Sequence, residues 1–429
     1  MIFLFKNHIL LRYMNEEEIK NYLNKLLKNS LQLIKENQNL EAKKNFEEIL
    51  IYKPNHAHIL NLLGITLVKL KKYDEAIERF KLAIKNDKNQ EGFYVNLGNV
   101  FEKIKKSKHA LSVYQKGLSI KNNSTILFNQ IGLLFFNQND YHKAKEYFKK
   151  SLNIDPQNKF TINNMGLVDF ELSDFKSALN RFNKCLKLDK KFSTAHFNSA
   201  LVYLLEGDLR KGWKEYEYRS YKKKYPKITL TKNEWNGSDL NNKTLLVICE
   251  QGIGDNVQFI RFISLIKKNN TKIILFVQKK FKSFFKNLNM VDKIVDEEKD
   301  ILSFDNYIFL MSLPNIFINL KNMPGPLNFF EKKTNLNKKW KSTFKSYEKE
   351  KIKIGLVWQG DHINHKYDSK RSLPLSLLEP ILRIEKVKCF SLQKNYGNEQ
   401  IEKNKFGNLI TNFKDKNDEE PFEDTLCII

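Results

Sequence analysis

The sequence predicts an α solenoid of paired helices followed by an α/β body built on parallel strands. Three observations carry this. Gly64, Gly98, Gly132 and Gly166 stand 34 residues apart (98 − 64 = 132 − 98 = 166 − 132 = 34), and Ala200 continues the series. Two further registers share that period: the small residues Ala42, Ala76, Ala110, Ala144, Ala178 and Gly212, and the rings Phe46, Phe80, Tyr114, Phe148, Phe182 and Tyr216. A period of this length marks stacked helix–turn–helix units. After residue 243 it gives way to short apolar runs alternating with amphipathic stretches, the pattern of a parallel sheet covered by helices.

Each unit of the first part reads as two helices. In the second unit Leu60, Leu63, Gly64 and Leu67 share one helix face, and Ala76, Phe80 and Ala83 share another. The small residue lets the second helix approach the first, and the ring four residues on fills the gap to the next unit. One pair cannot bury its apolar face alone, so units stack. Pro54 and Pro156 mark turns between units. The pattern resembles the tetratricopeptide repeat (TPR) family over about residues 23–220, in six units. The first has Ser30 for glycine, and the last has Gly212 for alanine. The first helices are expected to line the concave face. There Asn96, Gln130, Asn164 and Asn198 share one register. A side-chain amide both donates and accepts, so this row either grips the backbone of a protein or peptide partner or pairs with neighbouring helices. The row resembles the asparagine ladder of protein O-GlcNAc transferases.

A length of 429 residues predicts two or three domains. The net charge of +25 invites a nucleic-acid reading. Acidic residues are interspersed with the lysines, however, and no basic block alternates with aromatics, so no nucleic-acid partner is expected. Cys185, Cys249, Cys389 and Cys427 form no Cys-x-x-Cys pair and read as free thiols of a reducing, cytoplasmic setting. No apolar run is long enough to span a membrane. Residues 1–22 read as an N-terminal extension, with Met14 a second candidate start.

Residues 221–243 read as a linker, with Trp235 docking on the domain that follows. Strands are expected at 244–248, 272–277 and 307–310, within 351–360 together with a glycine turn, and at 387–394, and a helix at 279–288. Gln251, Gly252, Gly254 and Asp255 occupy the turn after the first of these strands. Glycines there allow close approach of a ligand. Asp255 is a candidate general base, or simply a helix cap. Trp358 and Gly360 follow a later strand, and His362, His365, Lys370 and Arg371 lie in the segment after it. Basic residues before a helix suit a diphosphate, although a solvated loop explains them equally. Gln393 and Lys394 end the last strand. There is no Asp-x-Asp at a strand end, and neither metal nor cofactor is expected.

Together, Gly207–Arg219, Glu250–Phe259, Gly355–Gly360, Arg371–Pro374 and Phe390–Lys394 resemble the bacterial TPR-containing glycosyltransferases. These are similar to heptosyltransferases and have a GT-B fold of two Rossmann-like lobes. The resemblance implies an acceptor-side lobe at 244–348 and a donor-side lobe beginning at 349. It implies Asp255 as the base, and a nucleotide-sugar donor near Lys370 and Arg371. It assigns Gln251, Gly252, Gly254, Trp358, Gly360, Gln393 and Lys394 to substrate or donor binding. The family's Asp-Thr…His-Leu-Ala donor segment is not found in 349–429. The second lobe is therefore expected to be incomplete and this chain, by itself, inactive. The alternative is a protein-binding scaffold with a vestigial lobe.

Overall fold

A computed structural model describes residues 15–219, 230, 232–266, 270–286, 288–301, 303–320, 324–325, 334–345, 347, 351–360, 372–394, 396–413 and 425. The chain divides after Arg219 into two compact units.

Among the described residues the first unit holds twelve helices in six antiparallel pairs: α1 (Glu16–Lys35) with α2 (Asn39–Tyr52), α3 (Ala57–Lys69) with α4 (Tyr73–Asn86), α5 (Glu91–Lys103) with α6 (Ser107–Ile120), α7 (Thr125–Asn137) with α8 (Tyr141–Ile154), α9 (Lys159–Glu171) with α10 (Phe175–Leu188), and α11 (Ser193–Leu205) with α12 (Leu209–Tyr216). Six of the twelve helices start at a side-chain cap. Asn15 and Glu18 form a reciprocal capping box on α1. Asp140, Asp174 and Asp208, one period apart, each accept the N–H of the third helical residue of α8, α10 and α12.

The small and aromatic registers meet face to face. A methyl group on Gly64, Gly98, Gly132 or Gly166 would come within 2.6, 2.1, 2.4 and 2.5 Å of the rings of Phe80, Tyr114, Phe148 and Phe182. The rings occupy the space a Cβ would take and are fully buried. In the first pair Ser30 stands at this register, buried, its hydroxyl donating to Leu26 O at 2.6 Å. A fourth register appears at the turn inside each pair. Asn37, Lys71, Lys105, Asn139, Ser173 and Gly207 all have positive φ, between 61° and 81°. Successive first helices touch across the repeats (α3 to α5, α5 to α7, α7 to α9, α9 to α11). The first helices therefore form the inner row.

The second unit contains two separate parallel sheets. The larger uses β1 (Asn233–Glu234), β2 (Thr244–Ile248), β3 (Lys272–Phe276), β4 (Lys293–Val295) and β5 (Asn306–Phe309), in the order β1-β5-β2-β3-β4. Its central strand β2 is an unbroken apolar run, and Leu245 to Ile248 are fully buried, as a strand covered on both faces must be. The segment expected as a linker supplies β1, which pairs with β5. Next to it Trp235 is buried. Its backbone N–H donates to Tyr307 O at 2.7 Å, and its indole N–H to Ser238 O at 2.8 Å. The helix expected at 279–288 is instead one short 3₁₀ turn at Lys279–Phe281 followed by turns.

The smaller sheet comprises β6 (Ile352–Leu356), β7 (Val387–Ser391) and β8 (Ile410–Asn412), in that order. It has three strands where two were expected; β8 is a three-residue edge that pairs with β7 from Cys389 to Ser391. The helix Thr334–Lys345 packs on this sheet: Trp340 meets Phe413 at 4.8 Å and Phe344 meets Phe390 at 4.9 Å between ring centroids. Cys185, Cys249 and Cys389 are buried free thiols. Cys427 and the alternative start Met14 lie outside the described residues, as do His362, His365, Lys370 and Arg371. No described helix is long and apolar enough to cross a membrane.

Candidate functional site

Three places gather the residues singled out above. The first is the turn after β2. In the larger sheet, chain order runs from β2 to β3 to β4 in one direction and then returns to place β5 on the other side of β2. The carboxyl end of β2 is thus a topological switch point, where open α/β sheets form their ligand crevices. Gln251, Gly252, Gly254 and Asp255 all lie there. Gly252 is the N-cap of the short helix Ile253–Phe259, and Asp255 is a half-buried acid in its first turn. The Gln251 carbonyl accepts from Asn256 Nδ2 at 3.3 Å and Gln278 Nε2 at 3.2 Å, which ties the turn to β3. Neither glycine has positive φ. A methyl group on Gly252 would meet nothing nearer than Asp255 Oδ2 at 3.6 Å, and one on Gly254 would meet nothing within 4 Å. The protein's own packing therefore does not demand glycine at either position. Cys249, just before the turn, has its thiol held well above its usual range by burial and then by the Glu250 carboxylate.

The carboxyl ends of β6 and β7 bring Trp358, Gly360, Gln393 and Lys394 together. Gln393 is the hub, 2% exposed. Its Oε1 accepts from the backbone N–H groups of Trp358 and Gln359, at 2.9 and 3.0 Å. Its Nε2 donates to the carbonyls of Gln359 (2.7 Å), Lys394 (3.2 Å) and Tyr396 (2.6 Å). Trp358 is buried as well, its indole N–H donating to Gly397 O at 3.2 Å. Gly360 N donates to Ser372 Oγ at 3.0 Å. Lys394 is half-buried at the strand end.

The third place is the inner row of the solenoid. The expected amide ladder lies there, and three of its four members bond asparagines of the preceding repeat. Asn96 Nδ2 donates to Asn61 Oδ1 at 2.8 Å. Asn164 Nδ2 donates to Asn129 Oδ1, and Asn198 Nδ2 to Asn163 Oδ1, each at 2.9 Å. Gln130 makes no hydrogen bond among the described residues. The partners Asn61, Asn129 and Asn163 were not anticipated. They stand 35 residues before their donors, one more than the repeat, and a search at the period alone misses them. Between α7, α9 and the start of α11 this row opens into a cavity of about 430 Å³ that includes Gln130 and Asn164. Asn96 and Asn198 are not part of it. Among the described residues no group of three or more His, Cys, Asp or Glu side chains is placed to hold a metal ion.

Comparison with known proteins agrees with the first unit. Sequence models of the tetratricopeptide repeat match residues 33–94, 92–124 and 126–158. The helical pairs that these models span are tetratricopeptide repeats. No curated protein matches the chain. Among solved structures, a chain of the APC/C hetero-tetramer Cut9–Hcn1 is similar at 19% identity and a TM-score of 0.40, over 46% of this chain and 39% of that one. A thermophilic TPR protein of Thermus thermophilus is similar at 20% identity and a TM-score of 0.38, over 42% and 99%. The pilF protein of Pseudomonas aeruginosa is similar at 15% identity and a TM-score of 0.39, over 46% and 89%. The chain thus spans well under half the length of the Cut9–Hcn1 chain that it matches.

Proposed function

We propose that this tetratricopeptide-repeat protein holds a protein or peptide partner on its solenoid, and that its α/β unit is a GT-B lobe of the glycosyl-transfer class with the beginning of a second. The observation that carries the enzymatic part is Asp255. It is a half-buried carboxylate one turn beyond a switch-point strand, preceded by two glycines that packing does not require. In this reading Asp255 removes the proton of an acceptor hydroxyl as that oxygen attacks the sugar carbon. The bond to the nucleoside diphosphate breaks, and the diphosphate leaves with its electron pair toward the basic residues of the second lobe, Lys370 and Arg371 among them. Gln251, Gly252 and Gly254 shape the acceptor side, and Lys394 stands on the donor side.

The test is nucleotide-sugar turnover by the chain, and by a version extended with any downstream coding sequence, each alongside Asp255→Asn. Loss of a general base costs about 10²- to 10⁴-fold, and a drop of that size supports the assignment. Turnover that survives the substitution removes Asp255 from the mechanism. Absence of turnover with every donor leaves the scaffold reading, a TPR protein with a vestigial lobe. A specific observation favours that second reading: Trp358 and Gln393, the expected donor contacts, are buried and bonded within the protein.

A further inference from the structure

None of the twelve residues lining the inner-row cavity is charged, although charged residues make up 29% of the sequence. Its polar groups are amides and hydroxyls, and the bonds between repeats dictate which end of each amide is left over. Asn129 Oδ1 accepts from Asn164 Nδ2 at 2.9 Å and from Thr161 Oγ1 at 3.2 Å. Asn129 therefore keeps its NH₂, and Asn164 its carbonyl, for a ligand. Neither group has another partner among the described residues. Gln130, one residue from Asn129, keeps both ends. Donors and acceptors thus stand side by side in a space of about 430 Å³.

Aromatic surface lies on the same wall. Phe160, 58% exposed, meets Phe192 edge to face at 5.5 Å and 86°. Lys159 Nζ lies over both rings, at 5.4 and 5.2 Å, but is ion-paired with Asp189 at 2.6 Å, so its charge is balanced. We propose that this cavity binds an uncharged carbohydrate of about disaccharide size, the volume being that of a small-molecule pocket of roughly 300–1,000 Å³. Adjacent amide donors and acceptors match neighbouring ring hydroxyls, each of which both donates and accepts. An exposed ring, with its electron-rich face, suits the C–H face of a sugar. A carboxylate or phosphate ligand would find no free cation among the lining residues. A long extended peptide would follow the amide ladder from repeat to repeat, but the aromatic surface does not repeat. One period to either side of Phe160 stand Ile126 and Thr194. The proposal holds whether or not the α/β unit transfers sugar.

The experiment titrates the full chain by saturation-transfer NMR and calorimetry. The probes are maltotriose, cellobiose, N,N′-diacetylchitobiose, the anionic sialyllactose, and the neutral peptide Ala-Asn-Ser-Thr-Ala. At least one neutral sugar is expected to bind with an affinity indifferent to salt. Phe160→Ala and Gln130→Ala are each expected to weaken it about tenfold, as loss of one stacked or hydrogen-bonded contact does. Both variants change partly exposed side chains, and unchanged helical circular dichroism would show that they fold. Binding by none of the neutral sugars overturns the proposal, as does binding that both substitutions leave intact. Tighter binding of the peptide than of any sugar, weakened by the same substitutions, overturns it in favour of a peptide site.

Discussion

At Gly98 a methyl group would sit 2.1 Å from Cε1 of Tyr114, and that ring cannot easily yield. The Tyr114 hydroxyl lies 2.7 Å from both Asn99 Oδ1 and Glu102 Oε1, and the ring is fully buried. Overpacking of this kind costs about 1–3 kcal/mol. Gly98→Ala is therefore expected to lower the urea midpoint of the solenoid, and Gly98→Ala with Tyr114→Leu to recover part of the loss; a single substitution without effect would contradict the packing described. This complementarity was legible in the sequence because volume is what the period encodes: a missing side chain at one register and a ring at another. The left-handed turn register was not legible. Asn37, Lys71, Lys105, Asn139, Ser173 and Gly207 share a backbone shape but no chemistry, and only the two asparagines and the glycine are of types that favour positive φ.

Helix starts follow the same logic one level up. Asp140, Asp174 and Asp208 have carboxyls held below the usual range. The largest cause is a side-chain hydrogen bond, from Lys143, Ser177 and Lys211 respectively, followed by the backbone N–H of the same residue. A depressed folded pKa contributes stability above the ordinary carboxylate range, and that stability disappears as pH falls through the folded value. The acid limb of solenoid stability is therefore expected to steepen below about pH 4. Asp174→Asn, which keeps the accepting oxygen but cannot titrate, should flatten it; melting temperature against pH, read at 222 nm, measures this, and identical limbs would exclude the caps as its cause. In the α/β unit β2 and β3 were readable because four or five consecutive apolar or β-branched residues announce them. Strands β1 and β8 were not. They have two and three residues, too few to show a pattern, and pair with β5 and β7. Gln393 was noticed by resemblance as a donor contact. Nothing in its neighbours reveals that both ends of its amide bond the backbone of two loops.

The two units report to different probes. Nearly all the described α-helix lies before Arg219, whereas Trp235, Trp340 and Trp358, three of the four tryptophans, lie after it. Circular dichroism at 222 nm follows chiefly the solenoid, and indole emission chiefly the α/β unit. Thermal unfolding is expected to give non-coincident transitions by the two signals, the sign of departure from two-state behaviour; superimposable curves would mean that the units melt as one. The switch-point turn after β2 was readable because glycines between an apolar run and a helix advertise a strand end. The inner-row cavity was not, because it depends on residues from three repeats whose shared property, the lack of charge, emerges only in space. The smaller sheet leaves one mark on the behaviour of the whole protein. Strand β6 pairs on a single side among the described residues, with Ile352 63% exposed. Such an edge is a template for foreign strands, and the charge of Lys353 works against pairing there.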